Sequence, residues 1–315
     1  METTGVILIN MGGPENLGAV RPFLYNLFSD RLIIKLGPQF LQKPIAALIA
    51  TLRNGKAKAM YAKIGGGSPI SKITTLQAEK LEAALATSGD GQYSYKVFVA
   101  MRYTAPFIED TLQRAVSSGI KRFIALTLYP HNSLATTGSA YAVLRAEVER
   151  SGVSCRYINS YADNELYVKA LADSMKEKLS EFQGGCRDIL FSAHGLPQYF
   201  IDNGDPYVSE LTKTIGKIKE QITGYRCHIS YQSRSGPVKW IEPATEDKIR
   251  QLAEDGVKNL LIVPISFVSD HIETLYEIDI LYKDLAEKHG ITMLRPKALN
   301  DGKAFIEALM ALVLN

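Results

Sequence analysis

A chain of 315 residues, 46% hydrophobic and 22% charged, holds ample apolar material for a folded core, which excludes extended disorder. A net charge of +3 without a basic tail or Lys/Arg block excludes the electrostatic footprint of a nucleic-acid partner. Three cysteines, Cys155, Cys186 and Cys227, form no CxxC pair, so a disulfide framework, a structural zinc site and an iron-sulfur cluster all lack suitably spaced ligands.

Short β-branched runs alternate with helical patterns along the whole chain, the sign of βαβ units and a parallel sheet. In chain order, strands are predicted at 5–10, 96–101, 122–128 and 155–159, then at 187–193, 227–232, 259–265 and 291–295. Helical patterns near 72–87, 106–118, 136–151, 163–182, 206–222, 243–255, 273–288 and 302–313 separate them. Four strands followed by four strands predict an α/β fold of two doubly wound domains, each with a four-stranded parallel sheet flanked by helices. The join is expected where Arg150-Ser-Gly-Val-Ser interrupts a helical pattern, giving domains 1–155 and 156–315. The last helix is free to cross back onto the first domain.

Residues 21–56 stand apart as an insertion after the first strand. They combine Phe23, Leu24, Leu27, Phe28, Ile33, Ile34, Phe40 and Leu41 with Arg21, Arg31, Lys35, Lys43, Arg53 and Lys56, against one acid, Asp30. Such a basic, apolar segment forms either a lip that settles on an anionic membrane surface or a helical hairpin packed on the body. No apolar run approaches the roughly 20 residues that cross a bilayer, and the N-terminus lacks signal-peptide regions. A cytoplasmic chain, peripheral at the membrane through this lip, is the expectation.

Two glycine turns follow the same physical logic. Asn10-Met-Gly-Gly-Pro lacks the spacing and the Lys-Ser/Thr of a phosphate loop, and Pro14 removes an amide donor, so a turn that lets a flat ligand approach the backbone is expected. Ile64-Gly-Gly-Gly-Ser-Pro-Ile70 is either a second such turn or a plain connection between helices.

Two histidines stand just beyond strand-like runs, His194 after Asp188-Ile-Leu-Phe-Ser-Ala and His271 after 260–270. In an open parallel sheet the ligand crevice lies beyond the carboxyl ends of the strands, where a titratable ring serves chemistry rather than packing. Asp270, Glu273 and Glu277 recur at intervals of three and four, so on a helix they share a face. They form either an acidic track for metal delivery or proton exit, or a helix N-terminus enriched in acids for dipole reasons. His271 is either a supporting or a packing residue.

Six segments in register, Asn10-Met-Gly-Gly-Pro, Ile64-Gly-Gly-Gly-Ser-Pro-Ile, Phe191-Ser-Ala-His-Gly-Leu-Pro, Gly204-Asp-Pro-Tyr, Gln232-Ser-Arg-Ser-Gly-Pro-Val-Lys-Trp240 and Ser269-Asp-His-Ile-Glu-Thr-Leu275, resemble ferrochelatase over nearly the whole chain. The resemblance implies two Rossmann-like domains of the chelatase type and an enzyme that inserts ferrous iron into a porphyrin at the end of heme synthesis. Iron is then a substrate, and no cofactor is required. His194 and Glu273 fall on the family's two central positions, as catalytic groups and metal contacts. Wall or rim positions for the porphyrin fall on Met11, Arg53, Tyr61, Ser68, Arg102, Tyr103, Tyr129, Trp240 and Phe267, with Asp270 and Glu277 on the acidic track.

Two departures stand out. Tyr129-Pro-His131-Asn132-Ser133 replaces a common Tyr-Pro-Gln-Tyr-Ser, so His131 could add a third imidazole, and Gly195 stands where serine is frequent. Relatives acting on coproporphyrin tend to carry tyrosine where this chain has Met11, so protoporphyrin IX is the expected substrate, with coproporphyrin III next in line. A cobalt or nickel chelatase on this fold, and a porphyrin or heme carrier without turnover, compete with that expectation.

Overall fold

The computed structural model describes residues 2–88 and 94–315. The chain divides into two compact units, one of residues 1–161 with 300–315, the other of residues 162–299.

In the first unit the strands are β1 (Thr3–Asn10), β2 (Ser94–Met101), β3 (Arg122–Thr127) and β4 (Ser154–Ile158), all parallel in the order β2-β1-β3-β4. β1 is buried from Thr4 to Asn10, and its Val6-Ile-Leu-Ile9 run suits a strand covered on both faces. Ile7, Ile9, Phe123 and Ala125 from the sheet pack with Ile108, Leu112 and Leu144 from the helices Ile108–Ser117 and Ser139–Ser151. Gly152 ends the second of these helices in the left-handed conformation, at φ 64°, where a side chain would be strained. Lys303–Leu314, the C-terminal helix, packs on helix Ile70–Ser88 of this unit, and Gln77 Nε2 donates to the Asn300 carbonyl at 2.7 Å.

The second unit repeats the plan. Strands β5 (Asp188–His194), β6 (Arg226–Gln232), β7 (Asn259–Pro264) and β8 (Thr292–Leu294) are parallel in the order β6-β5-β7-β8. Leu190, Leu260 and Ile262 pack with Ile249, Leu252 and Ile278 to form its core. All eight predicted strands are present. In both sheets the chain winds outward from the first strand, then returns to its other side. The switch point of the second sheet lies between β5 and β7, and ligand crevices of such sheets lie beyond the carboxyl ends of strands at that point.

The insertion is helical at both ends, Val20–Ser29 and Gln42–Ala62. Buried Gln42 knots the loop between them. Its Nε2 donates to the Phe28 and Ile34 carbonyls at 2.7 and 3.0 Å, and its Oε1 accepts from Leu36 N and Arg31 Nη1 at 3.1 and 3.2 Å. Asp30 ties the segment to the sheet edge, accepting from Arg102 Nη2 and the Tyr103 hydroxyl, each at 2.8 Å, and from Ser139 Oγ. The insertion is thus packed at its base and exposes large apolar side chains among its basic ones. Phe40 is 77% exposed, Leu52 74%, Leu48 59% and Leu32 49%.

Candidate active site

His194 is the last residue of β5, and Glu273 opens a π-helical segment, Glu273–Tyr282, in the connection from β7 to β8. Both belong to the second unit. His194 is gripped through its backbone. Its N–H donates to Ser266 Oγ at 3.2 Å, its carbonyl accepts from the Tyr207 hydroxyl at 3.0 Å, and Tyr207 and Ser266 bond each other at 2.6 Å. A Cβ at Gly195 would stand 2.8 Å from the Gln232 carbonyl oxygen, so glycine lets the chain after His194 close on β6, where its N–H bonds that same oxygen.

His194 Nδ1 meets Glu273 Oε2 at 2.7 Å. A carboxylate there orients the ring as the Nδ1–H tautomer, which leaves Nε2 with its lone pair for a proton or a metal. The His194 side chain is 37% exposed, whereas that of Glu273 is 12% exposed.

Ser233, to which the sequence assigns no role, joins the two carboxylates. Its Oγ lies 2.8 Å from Glu273 Oε2 and 2.6 Å from Glu277 Oε2. A hydroxyl has one proton to donate. Two carboxylate contacts are therefore satisfied together only if one acid is protonated and donates back to Oγ. Ser233 also sits at φ 67°, a strained setting for a non-glycine residue of the kind that persists where the surroundings dictate it. Neighbouring Gln232 donates from Nε2 to the Glu273 carbonyl and to Glu277 Oε2, both at 3.2 Å, while its Oε1 accepts from buried Ser192 Oγ at 2.8 Å.

Charges sort along this chain of contacts. Burial disfavours the His194 imidazolium, but the charge and hydrogen bond of Glu273, with Glu277 behind it, override burial and raise its pKa. Burial likewise opposes ionisation of Glu273, and the facing His194 holds its carboxyl well below the usual range. Burial, then the Glu273 charge, push half-buried Glu277 up to about 7. Glu277 is thus the acid that carries the proton demanded by the Ser233 geometry.

The remaining predicted positions separate. Asp270 does not join Glu273 and Glu277 on one track: it pairs with Arg295 Nη1 at 3.0 Å and accepts from Thr274 Oγ1 at 3.0 Å. The spacing of three and four suits an α-helix, but the segment is π-wound and starts only at Glu273. His271 is a buried imidazole whose pKa is lowered by burial; its Nδ1 donates to the Ser269 carbonyl at 3.0 Å and its ring packs edge-on to Phe267, centroids 4.4 Å apart. Phe267 in turn faces the His194 ring edge-on at 6.3 Å. Trp240 is half-buried on the strand-like bridge to Pro197, and its indole N–H has no hydrogen-bond partner among the described residues.

In the first unit, Met11 and Ser68 lie on two glycine turns that interlock. Ser68 N donates to the Pro14 carbonyl at 2.7 Å, a Cβ on Gly67 would lie 2.2 Å from the Glu15 carbonyl oxygen, and one on Gly13 would lie 2.7 Å from Ser68 Cβ. These two glycines therefore admit the opposite turn, whereas the sequence suggested access for a ligand. Arg102 is not a free rim cation, because Asp30 and Ser139 Oγ, the latter at 2.9 Å from Nε, already engage it. Tyr103 and Tyr61 are buried. Burial raises the pKa of the half-buried Tyr129 phenol. Arg53 is exposed and stacks over Phe28 at 5.3 Å. His131 is buried in this unit, and burial drives its pKa down to about 3, so it is a neutral ring.

Among the described residues no group of three or more His, Cys, Asp or Glu side chains is arranged to hold a metal ion. His194 and Glu273 face each other as one imidazole and one carboxylate.

Two α/β units, each built on a four-stranded parallel sheet, define a doubly wound α/β protein, and solved structures share that fold. The chain superposes on SirB from Bacillus subtilis with Fe3+ at a TM-score of 0.58 and 13% identity, covering 100% of this chain and 95% of that one. It superposes on the sirohydrochlorin chelatase SirB from Bacillus subtilis subspecies spizizenii in complex with cobalt at 0.56 and 11% identity, covering 99% and 93%. At those identities the fold alone is shared. Sequence comparison is more specific: the ferrochelatase family model matches residues 3–315. The ferrochelatase of Desulfotalea psychrophila is 50% identical over 313 residues, 99% of this chain and 96% of the relative, and that of Geotalea daltonii 49% over 316 residues, 99% and 97%. The chain belongs to the ferrochelatase family, and it is a metal chelatase.

Proposed function

We propose that this enzyme inserts ferrous iron into protoporphyrin IX to form heme, with His194 and Glu273 as the reacting pair. Insertion requires the loss of two pyrrole protons and the exchange of water ligands on the metal for ring nitrogens. The observation that carries the assignment is the 2.7 Å contact between His194 Nδ1 and Glu273, which leaves the other imidazole nitrogen for substrate. Nε2 accepts the two pyrrole protons in turn, each imidazolium being stabilised by Glu273 through Nδ1–H and giving up its proton before the next transfer. Ser233 and Glu277 extend this into a hydrogen-bonded route, ending at an acid that exchanges protons near neutrality. The same nitrogen and carboxylate are suitable donors for ferrous iron before it enters the ring.

Anaerobic mixing with ferrous or zinc ion, followed in the visible spectrum with protoporphyrin IX and coproporphyrin III in parallel, tests this directly. Many equivalents of protoporphyrin should convert per protein, and faster than coproporphyrin. His194→Ala should abolish insertion while porphyrin binding persists; turnover at the wild-type rate in that variant would remove His194 from its role.

The insertion supports a peripheral membrane contact as well. Phe40, Leu48 and Leu52 are exposed beside exposed Lys43, Arg53 and Lys56, apolar and basic groups suited to the headgroup region of an anionic leaflet. No helix of the described residues is long and apolar enough to cross a membrane.

A further inference from the structure

Arg295, just beyond β8, has no part in the chemistry above, yet it is the most heavily engaged cation of the second unit. Its Nε and Nη2 form a fork on Asp279, at 2.8 and 2.6 Å, while Nη1 reaches Asp270 at 3.0 Å, with the side chain only 11% exposed. Thr274 Oγ1, in the first turn of the π-helical segment, donates to the same Asp270 oxygen. The acids around this segment therefore sort onto two partners. Glu273 and Glu277 reach Ser233, and Asp270 and Asp279 reach Arg295.

That sorting depends on the winding. A π-turn is rarer and less favourable than an α-turn, and each of its residues advances less around the axis. Over the six positions from Glu273 to Asp279 the two windings diverge by roughly a quarter turn or more. A segment that relaxed to α could keep Glu273 on Ser233 and His194 or Asp279 on Arg295, but not both. Holding Asp270, ahead of the segment, and Asp279, within it, on one rigid guanidinium fork selects the π form.

We propose that Arg295 is a positioning residue for metal insertion: by clamping Asp270 to Asp279 it keeps the segment π-wound, which sets Glu273 and Glu277 against Ser233 and His194. The inference rests on the role given to Glu273 above, and Glu273→Gln in the same assay tests that role separately, since its full activity would discredit the pair whatever Arg295 does.

The experiment compares Arg295→Gln, Arg295→Lys and Asp279→Asn by zinc and iron insertion kinetics, pH–rate profile and Tm. In Arg295→Gln, kcat should fall at least about tenfold with the porphyrin KM within about twofold, and the pH–rate profile should move because Glu277 has lost its placement. Asp279→Asn should fall in the same direction. Arg295→Lys, which keeps the charge but not the fork, should recover Tm more than kcat. The proposal is overturned if Arg295→Gln and Asp279→Asn keep kcat within about twofold and the wild-type pH profile, whatever happens to Tm. Should Arg295→Gln fail to fold, Asp279→Asn decides alone, because it leaves the contact between Arg295 and Asp270 in place.

Discussion

In the folded chain Glu277 keeps its proton up to about pH 7, whereas an unperturbed glutamate releases it near 4.5. Between those values the folded state binds more protons than the unfolded one, so this residue makes stability fall as pH rises through the window. Glu277→Gln should remove that slope and gain stability relative to wild type toward the upper end. Urea unfolding of both proteins across about pH 5 to 7 measures it, and parallel curves would place the titration elsewhere. His194 stands out in the sequence because position relative to a strand end is written in the apolar run before it, whereas Glu273 stands out through the resemblance and the spacing of the acids around it. Ser233 does not, since a serine at positive φ has no compositional mark, and neither does the partner of Asp270, which follows the next strand of the sheet.

At the scale of elements, the eight strands can be read because buried parallel strands are short continuous apolar runs, such as Val6-Ile-Leu-Ile9 in β1 and Leu260-Leu-Ile-Val263 in β7. The π winding of Glu273–Tyr282 escapes such a reading because an interval of four fits either helix. The composition of the insertion admits a packed hairpin or a basic, apolar lip, and the fold combines features of each: Gln42 and Asp30 pack its base, while Phe40, Leu48 and Leu52 stay exposed among basic side chains. Substituting Phe40, Leu48 and Leu52 together by serine should therefore reduce sedimentation with anionic liposomes several-fold, with little effect on Tm because all three are largely exposed. Unchanged sedimentation would leave the segment a solvated hairpin.

For the whole molecule, connectivity makes the two units unequal. The second is continuous from Ala162 to Leu299 and has its own core, whereas the first contains Phe305, Ile306 and Leu309 from the end of the chain, all buried. Residues 162–299 expressed alone should unfold cooperatively in urea with retained helical circular dichroism, while residues 1–161 alone should be destabilised by several kcal/mol for want of those side chains. A non-cooperative 162–299 fragment would show that the unit needs the rest of the chain.

The shared strand order of the two sheets gives β1 and β5 the same address, and the side chains at that address differ in kind. Asn10 uses its amide at home, donating from Nδ2 to Thr74 Oγ1 at 3.0 Å and accepting from Met11 N at 2.8 Å, whereas His194 keeps one ring nitrogen uncommitted. Twin wiring thus has a single live terminal: an inert amide crowns one sheet, an ionisable ring the other.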